Sequence, residues 1–236
     1  MRNRTSSTIT VTLAALVLAT INLRAGEAWL RYTARPAGSK VAIDGTSTAH
    51  DWTTQGAIIG GVFEVEPEFR TDSSLKTVKS LTGEGRCPKV EVTIPVTSLK
   101  STVLVGREKM DEIMREAMRS KEHPAITYKL TAMNIKGEIP PNGSPVKLDT
   151  RGELQVAGIT NLIDLEISLD RLEGDRLKFS GTKTLNMTAF KIVPPAPKLG
   201  LGLIKTGDEV TIKFDWVVGL SKTGPAQTTP PADPAR

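Results

Sequence analysis

Glu209-Val210-Thr211-Ile212-Lys213-Phe214-Asp215-Trp216-Val217-Val218 alternates polar and apolar side chains with a period of two up to Val217. Successive side chains of a β-strand point to opposite faces, so this stretch reads as a strand with one apolar and one wet face. The same period recurs along the chain. Val90, Val92, Ile94 and Val96 alternate with Lys89, Glu91, Thr93 and Thr97. Ile126, Tyr128, Leu130 and Ala132 alternate with Thr127, Lys129 and Thr131, and Ile163, Leu165, Ile167 and Leu169 with Asp164, Glu166 and Ser168. From Ala57 to Phe69 the apolar or small residues fall on odd positions, with Glu64, Glu66 and Glu68 between them. Weaker versions run through residues 40–44, 146–156 and 176–188. The sum is about eight strands, joined in part by hairpin turns at Val156-Ala157-Gly158-Ile159-Thr160-Asn161 and Glu173-Gly174-Asp175. The expected class is all-β, an antiparallel sheet whose edges are best protected by closure into an eight-stranded barrel.

One segment breaks the period. Met110, Ile113, Met114, Ala117 and Met118 fall at i, i+3, i+4, i+7 and i+8, with Asp111, Glu112, Arg115, Glu116 and Arg119 between them. This predicts a single amphipathic helix of about 14 residues that stops before Pro124 and packs its methionine face on the barrel. Residues 194–207 are rich in Pro and Gly yet carry Leu199, Leu201, Leu203 and Ile204, which predicts a loop folded over a sheet end or a barrel mouth.

The ends of the chain read differently. Arg2 and Arg4 precede an uncharged apolar and small-residue run at 9–21, and Ala25, Gly26 and Ala28 offer cleavage positions. Residues 1–28 are therefore expected to be a signal peptide; the run is shorter than the roughly 20 residues of a membrane span, which disfavours an uncleaved anchor. The expected domains are this signal, a barrel over 29–220, and a disordered Pro-rich tail over 221–236. Removing the signal takes away three arginines and one glutamate, so the net charge falls from +5 to +3. No basic cluster with aromatics accompanies that mild charge, so no nucleic-acid partner is expected. Nor is a stable membrane span expected after cleavage. Cys87 is the sole cysteine and rules out an internal disulfide. It is either a reactive thiol, an intermolecular link, or an inert residue at a strand start.

Chemistry is sparse. Zinc sites need several His, Cys or carboxylate ligands together, and the chain has His50, His123 and Cys87 only. No metal and no cofactor are expected, and phosphate-binding glycine motifs are missing. His123, before Pro124, reads as a helix-end residue. His50 sits in Gly45-Thr46-Ser47-Thr48-Ala49-His50-Asp51-Trp52, a strand running into a polar turn. It is either a hydrogen-bonded corner residue or a contact for a ligand's polar head. No catalytic residues are assigned, because neighbours on a strand point to opposite faces and no nucleophile elbow exists. The chain is not expected to be an enzyme.

That turn is one piece of an ordered set. It is followed by Val92-Thr93-Ile94-Pro95-Val96-Thr97-Ser98-Leu99, by Met110 to Met118, and by Lys121-Glu122-His123-Pro124-Ala125-Ile126-Thr127-Tyr128. Gly152-Glu153-Leu154, Gly158-Ile159-Thr160 and Gly207-Asp208-Glu209-Val210-Thr211-Ile212 complete it. Together these resemble the YceI-like family of exported, lipocalin-shaped, polyisoprenoid-binding proteins, over roughly residues 38 to 219. The acidic stretch 64–70 and the tail fall outside the match. The resemblance implies an eight-stranded lipocalin-like barrel whose lumen holds a long-chain isoprenoid or similar lipid, in the periplasm or outside the cell. The residues expected to line that lumen are Ile43, His50, Trp52, Ile59, Phe63, Val92, Ile94, Met114, Met118, Ile126, Tyr128, Phe179 and Phe214. Ile43 and Trp52 differ in strand phase by one, so a bulge near Gly45 is expected if both face inward. The alternative is a ligand-free interaction or stress-response barrel with a packed core, since eight strands enclose a space that side chains can fill. Oligomeric state and ligand identity are open at this level.

Overall fold

The computed structural model describes residues 28–140, 144–196 and 204–221. The expected signal up to residue 27 and the tail from residue 222 lie outside these residues, as do residues 197–203 of the apolar loop 194–207. Eleven strand segments form one antiparallel sheet: β1 (Leu30–Ala34), β2 (Lys40–Ser47), β3 (Trp52–Gly56), β4 (Gly60–Val65), β5 (Lys89–Pro95), β6 (Lys100–Ser101), β7 (Ala125–Ile135), β8 (Val146–Val156), β9 (Ile159–Leu172), β10 (Arg176–Asn186) and β11 (Thr206–Leu220). They amount to eight long strands, of which the first three are each broken once. β1 pairs with β4 and β2 with β3; β4 pairs with β5 and β3 with β6. From β7 onward each strand pairs with the next in sequence. β11 then returns to β2 and, further along, to β1, where Tyr32↔Leu220 to Ala34↔Val218 closes the ring. The fold is a closed eight-stranded antiparallel barrel with up-and-down topology.

The breaks have local causes. Between β1 and β2, Pro36 lacks an N–H and Gly38 adopts φ 89°. The buried Ser39 hydroxyl repairs the ladder there: it accepts the Val217 N–H at 3.0 Å and donates to the Arg35 carbonyl at 2.7 Å. At the start of β4, Gly61 takes φ 136°, and a Cβ there would lie 2.1 Å from the Glu91 carbonyl oxygen. Between β5 and β6 a 3-10 turn, Val96–Ser98, bends the strand. The hairpin from β2 to β3 corrects one expectation. Gly45 pairs directly with Trp52 and Ile43 with Thr54, so odd positions of β2 share a face with even positions of β3. No bulge in the β2–β3 pair is needed, because a turn resets the phase; the irregularity beside Gly45 lies in its other partner, β11, between Thr206 and Val210. A bulge does occur in β7, between Leu130 and Ala132, after which Met133 rather than Ala132 turns inward and is buried.

The ends of the barrel differ. At one end, residues 66–88 carry two single-turn helices, α1 (Glu68–Thr71) and α2 (Lys79–Thr82). The strand expected to reach Phe69 stops at Val65, since Pro67 opens a helical turn. Phe69, Leu75, Val78 and Leu81 are fully buried and plug this end. Asp72 holds the connection through its carboxylate, which accepts from the N–H and hydroxyl of both Ser74 and Thr77 and sits well below the usual carboxylate range because of those bonds. Above the plug, Phe63 meets Phe69 and Phe179 edge-on at 5.6 and 5.1 Å. The Arg171 guanidinium lies 4.5 Å from the Phe69 ring and donates to the Phe69 carbonyl at 2.8 Å. At the other end lies α3 (Arg107–Ala117), three residues shorter than expected and started by Gly106 at φ 75°.

Phe69→Ala should lower the unfolding free energy by about 3–5 kcal/mol, the usual cost of emptying a fully buried phenylalanine site. Urea denaturation followed by circular dichroism measures it. A loss under about 1 kcal/mol would mean the plug is dispensable.

Candidate functional site

The inward faces of the strands do not meet. They surround a cavity of about 540 Å³, within the range of small-molecule sites. Its floor is Phe179 and Trp216, whose rings lie 5.5 Å apart. Its walls include Ile43, Ile59, Val92, Ile94, Ile126, Tyr128 and Phe214, and Trp52 stands near the mouth. Its roof is α3, where Met110, Ile113, Met114, Ala117 and Met118 all face the cavity. Of these only Met118 is fully buried. The methionine face therefore covers an opening rather than packing on a filled core.

Twelve of the thirteen residues expected to line the lumen are brought together here. Phe63 is the exception and a correction. Its side chain points inward, as its phase requires, but lies among Tyr32, Phe69 and Phe179 in the plug and does not reach the cavity. Phase tells which face a residue is on and not how far along the barrel the space extends. His50 lies exposed at the rim of the mouth. Its Nδ1–H donates to the Asp51 carbonyl at 2.7 Å, while the Ser47 hydroxyl donates to the His50 carbonyl at 2.7 Å. These are the bonds of a corner, and the Asp51 carboxylate takes no part in them. His123 sits beyond α3, where its ring lies against Gly158; a Cβ at Gly158 would come 2.3 Å from Nε2. Among the described residues no three His, Cys, Asp or Glu side chains converge as a metal site. Cys87 is half-buried, and burial pushes its thiol up.

Few polar groups face the lumen. The Thr150 hydroxyl is buried and donates to the Leu165 carbonyl at 3.1 Å. Tyr128 lies flat over Gly152, and burial raises its phenol above the ordinary value. Trp216 Nε1 is buried with no hydrogen-bond partner among the described residues. Lys183, which the sequence reading passed over, faces the cavity from β10 opposite Ile212. It flanks a divergence in the wall. The β9–β10 ladder runs from Arg176↔Leu172 to Gly181↔Ile167 and stops, whereas β8–β9 continues to Val156↔Ile159 and β10–β11 to Asn186↔Glu209. Beyond the gap, Asn161 Nδ2 on β9 donates at 2.8 Å to the Ala189 carbonyl in the 3-10 turn Met187–Phe190 that follows β10.

A closed eight-stranded barrel, plugged at one end and roofed by a helix at the other, is thus matched by a family model described as the YceI-like domain over residues 32–218. The chain belongs to the YceI-like family. No curated protein matches it. Among solved structures, Burkholderia cenocepacia BcnA is similar at 18% identity and a TM-score of 0.54, covering 78% of this chain and 98% of that one. A polyisoprenoid binding domain from Saccharophagus degradans, implicated in plant cell wall breakdown, is similar at 11% identity and a TM-score of 0.55, covering 81% and 98%. At such identities the likeness establishes the fold alone.

What positions the roof in this YceI-like barrel is Asp111. It was expected on the wet face of the helix, yet it is buried. Its Oδ1 accepts the Ser101 N–H at 2.7 Å, and Oδ2 lies 3.5 Å from Lys100 Nζ. The signal was available: Asp111, Met114 and Met118 stand at i, i+3 and i+7, so the carboxylate shares a face with two inward methionines. Asp111→Ala leaves a buried N–H unpaired and should cost about 1–3 kcal/mol. Hydrogen exchange should show α3 amides exposed faster while β8 and β9 amides keep their protection. Unchanged α3 exchange would mean that apolar contacts alone hold the helix.

Proposed function

We propose that this YceI-like protein is an exported carrier that holds a polyisoprenoid, or a similar long apolar molecule, inside its barrel. The observation that carries the reading is the cavity itself, lined almost wholly by apolar side chains from Trp216 at its floor to the methionines of α3. A hydrocarbon buried there leaves water, at roughly 25 cal/mol per Å² of apolar surface, set against the cost of immobilising it. Family membership and the described polyisoprenoid-binding neighbour support the same chemistry. Lys183, high on the wall opposite Ile212, suits a molecule with one polar end better than a pure hydrocarbon. The role is binding rather than catalysis: His50 and Asp51 form no acid–base pair, and their bonds hold a corner. Export rests on the basic start, the short apolar run and the small residues before Trp29. It places the working protein in the periplasm or outside the cell.

Protein recovered from the exported fraction should begin near residues 26–29 by N-terminal sequencing and release an isoprenoid-type lipid on organic extraction. Ile59→Trp and Val92→Trp put bulk into the existing space. Each should abolish that retention while costing no more than about 1–3 kcal/mol of stability, the range for overpacking. Native mass spectrometry and a thermal melt on the same samples read both. Wild type that carries nothing, with both variants unfolding, would support the packed, ligand-free barrel instead.

A further inference from the structure

Among the described residues five large apolar side chains are conspicuously exposed, and four of them lie at the mouth end. Leu104 and Val105 are 92% and 90% exposed on the loop that enters α3, flanked by Val103, which lines the cavity. Val193 is 82% exposed between the lining residues Ile192 and Pro195. Leu162 stands on β9 just beyond the β8–β9 turn. Only Ile58 lies elsewhere, at the break between β3 and β4.

The charges at this end follow a pattern. Arg107, Lys191 and Lys205 are exposed and make no ion pair among the described residues. Lys205 is held at the rim by paired bonds with Thr48, and Lys191 turns the chain at φ 56°. Lys109 is balanced by Glu112 and Arg119 by Glu122, and further exposed carboxylates at this end are Asp51, Glu108, Glu116 and Glu209. Of the unpaired cations, Arg107 stands two residues from Val105 and Lys191 two residues from Val193, so each projecting apolar tip has a cation beside it.

We propose that the mouth rim docks on an anionic lipid bilayer, with Leu104, Val105 and Val193 entering the interface and Arg107, Lys191 and Lys205 meeting lipid phosphates. Exposed apolar side chains beside unpaired cations are the chemistry of interfacial anchoring. The tips belong to separate loops around an opening, which suits a fluid surface that yields around each tip better than a rigid protein face. The cavity lining also reaches Val103 and Val105 on this loop, so the apolar tips stand at the opening a hydrocarbon would use. The purpose of docking rests on the carrier reading; the docking is measured separately from it.

The test is flotation of the full mature chain with vesicles of phosphatidylglycerol and phosphatidylethanolamine, against phosphatidylcholine alone. Wild type should float with the anionic vesicles and lose binding as salt rises. Leu104→Asp combined with Val193→Asp, at positions outside the cavity lining, should cut vesicle binding about tenfold or more, on the worth of one or two buried aliphatic side chains. The melting temperature and the lipid retained in the barrel should not change. Ile58→Asp should float like wild type. Lys191→Glu with Lys205→Glu gives a second readout and should remove the salt-sensitive part. Wild type that stays in solution, or a Leu104→Asp/Val193→Asp variant that floats as well as wild type, overturns the proposal. So does a dimer dispersed by that variant with no flotation, since a second copy is then the occupant. Flotation by a protein whose barrel proves empty leaves docking standing and removes the carrier reading.

Discussion

Everything in this molecule depends on the edge of β11. A strand of 15 residues presents more backbone donors and acceptors than one short partner can satisfy, and an unpaired edge is a site of aggregation. β11 solves this by pairing with β2 over its first part and with β1 over its last. The join between the two partners is the weak point, and Ser39 bridges it with a side chain in place of a backbone. Closure there allows the other long strands to keep one wet face. It also forces the chain to bend at the breaks, because a closed barrel needs its strands tilted and staggered.

Closure alone does not leave a cavity; eight strands can be filled by their own side chains. Here three aromatic rings lie down along the wall instead of across the lumen, each resting on a glycine. Trp52 covers Gly45, Phe214 covers Gly181 and Tyr128 covers Gly152; a Cβ on any of the three glycines would come within 2.2 to 2.8 Å of the ring. Gly45 and Gly181 are the direct cross-strand partners of their rings, and Gly152 stands on the same face two residues from Leu154, the partner of Tyr128. Flat rings add apolar wall without consuming depth. Only lower down, where Phe63, Phe69 and Phe179 meet edge to edge, do rings fill the cross-section. The space between that cluster and α3 is the consequence.

This division explains what could be read from the chain. The period of two exposes the inward face of every long strand; the strand residues chosen on that basis, with Met114 and Met118 from the helical pattern and His50 from the turn, do surround one space, Phe63 excepted. Periodicity cannot see across a turn, which is why Ile43 and Trp52 looked out of phase, nor can it see depth, which is why Phe63 looked like lining. The glycines that let rings lie flat are silent in one dimension, since their meaning depends on a partner strand. Asp111 and Lys183 were misplaced or overlooked because a charged residue reads as wet by default. One sits on the methionine face of α3 and the other at an inward position of β10, so the geometry of each element overrode the residue's preference. Strand β1 went unread because Leu30–Ala34 is short and its alternation is weak.

The two ends of the barrel are consolidated unequally, and this bears on how its interior is reached. The plug end holds a run of fully buried side chains, an aromatic cluster and the Arg171 bond to the Phe69 carbonyl. The mouth end has a strand of two residues, β6, and a helix whose apolar face is mostly half-buried and whose main polar anchor is one carboxylate. It also has the stretch where the β9–β10 ladder is interrupted. Local opening costs least where few apolar contacts and few backbone bonds are broken. Any movement that admits a molecule therefore starts at α3 and the β9–β10 divergence and leaves the ring closure at β1–β11 intact. The strength of the barrel is spent at the far end from the opening, and that separation lets the mouth move without unravelling the sheet.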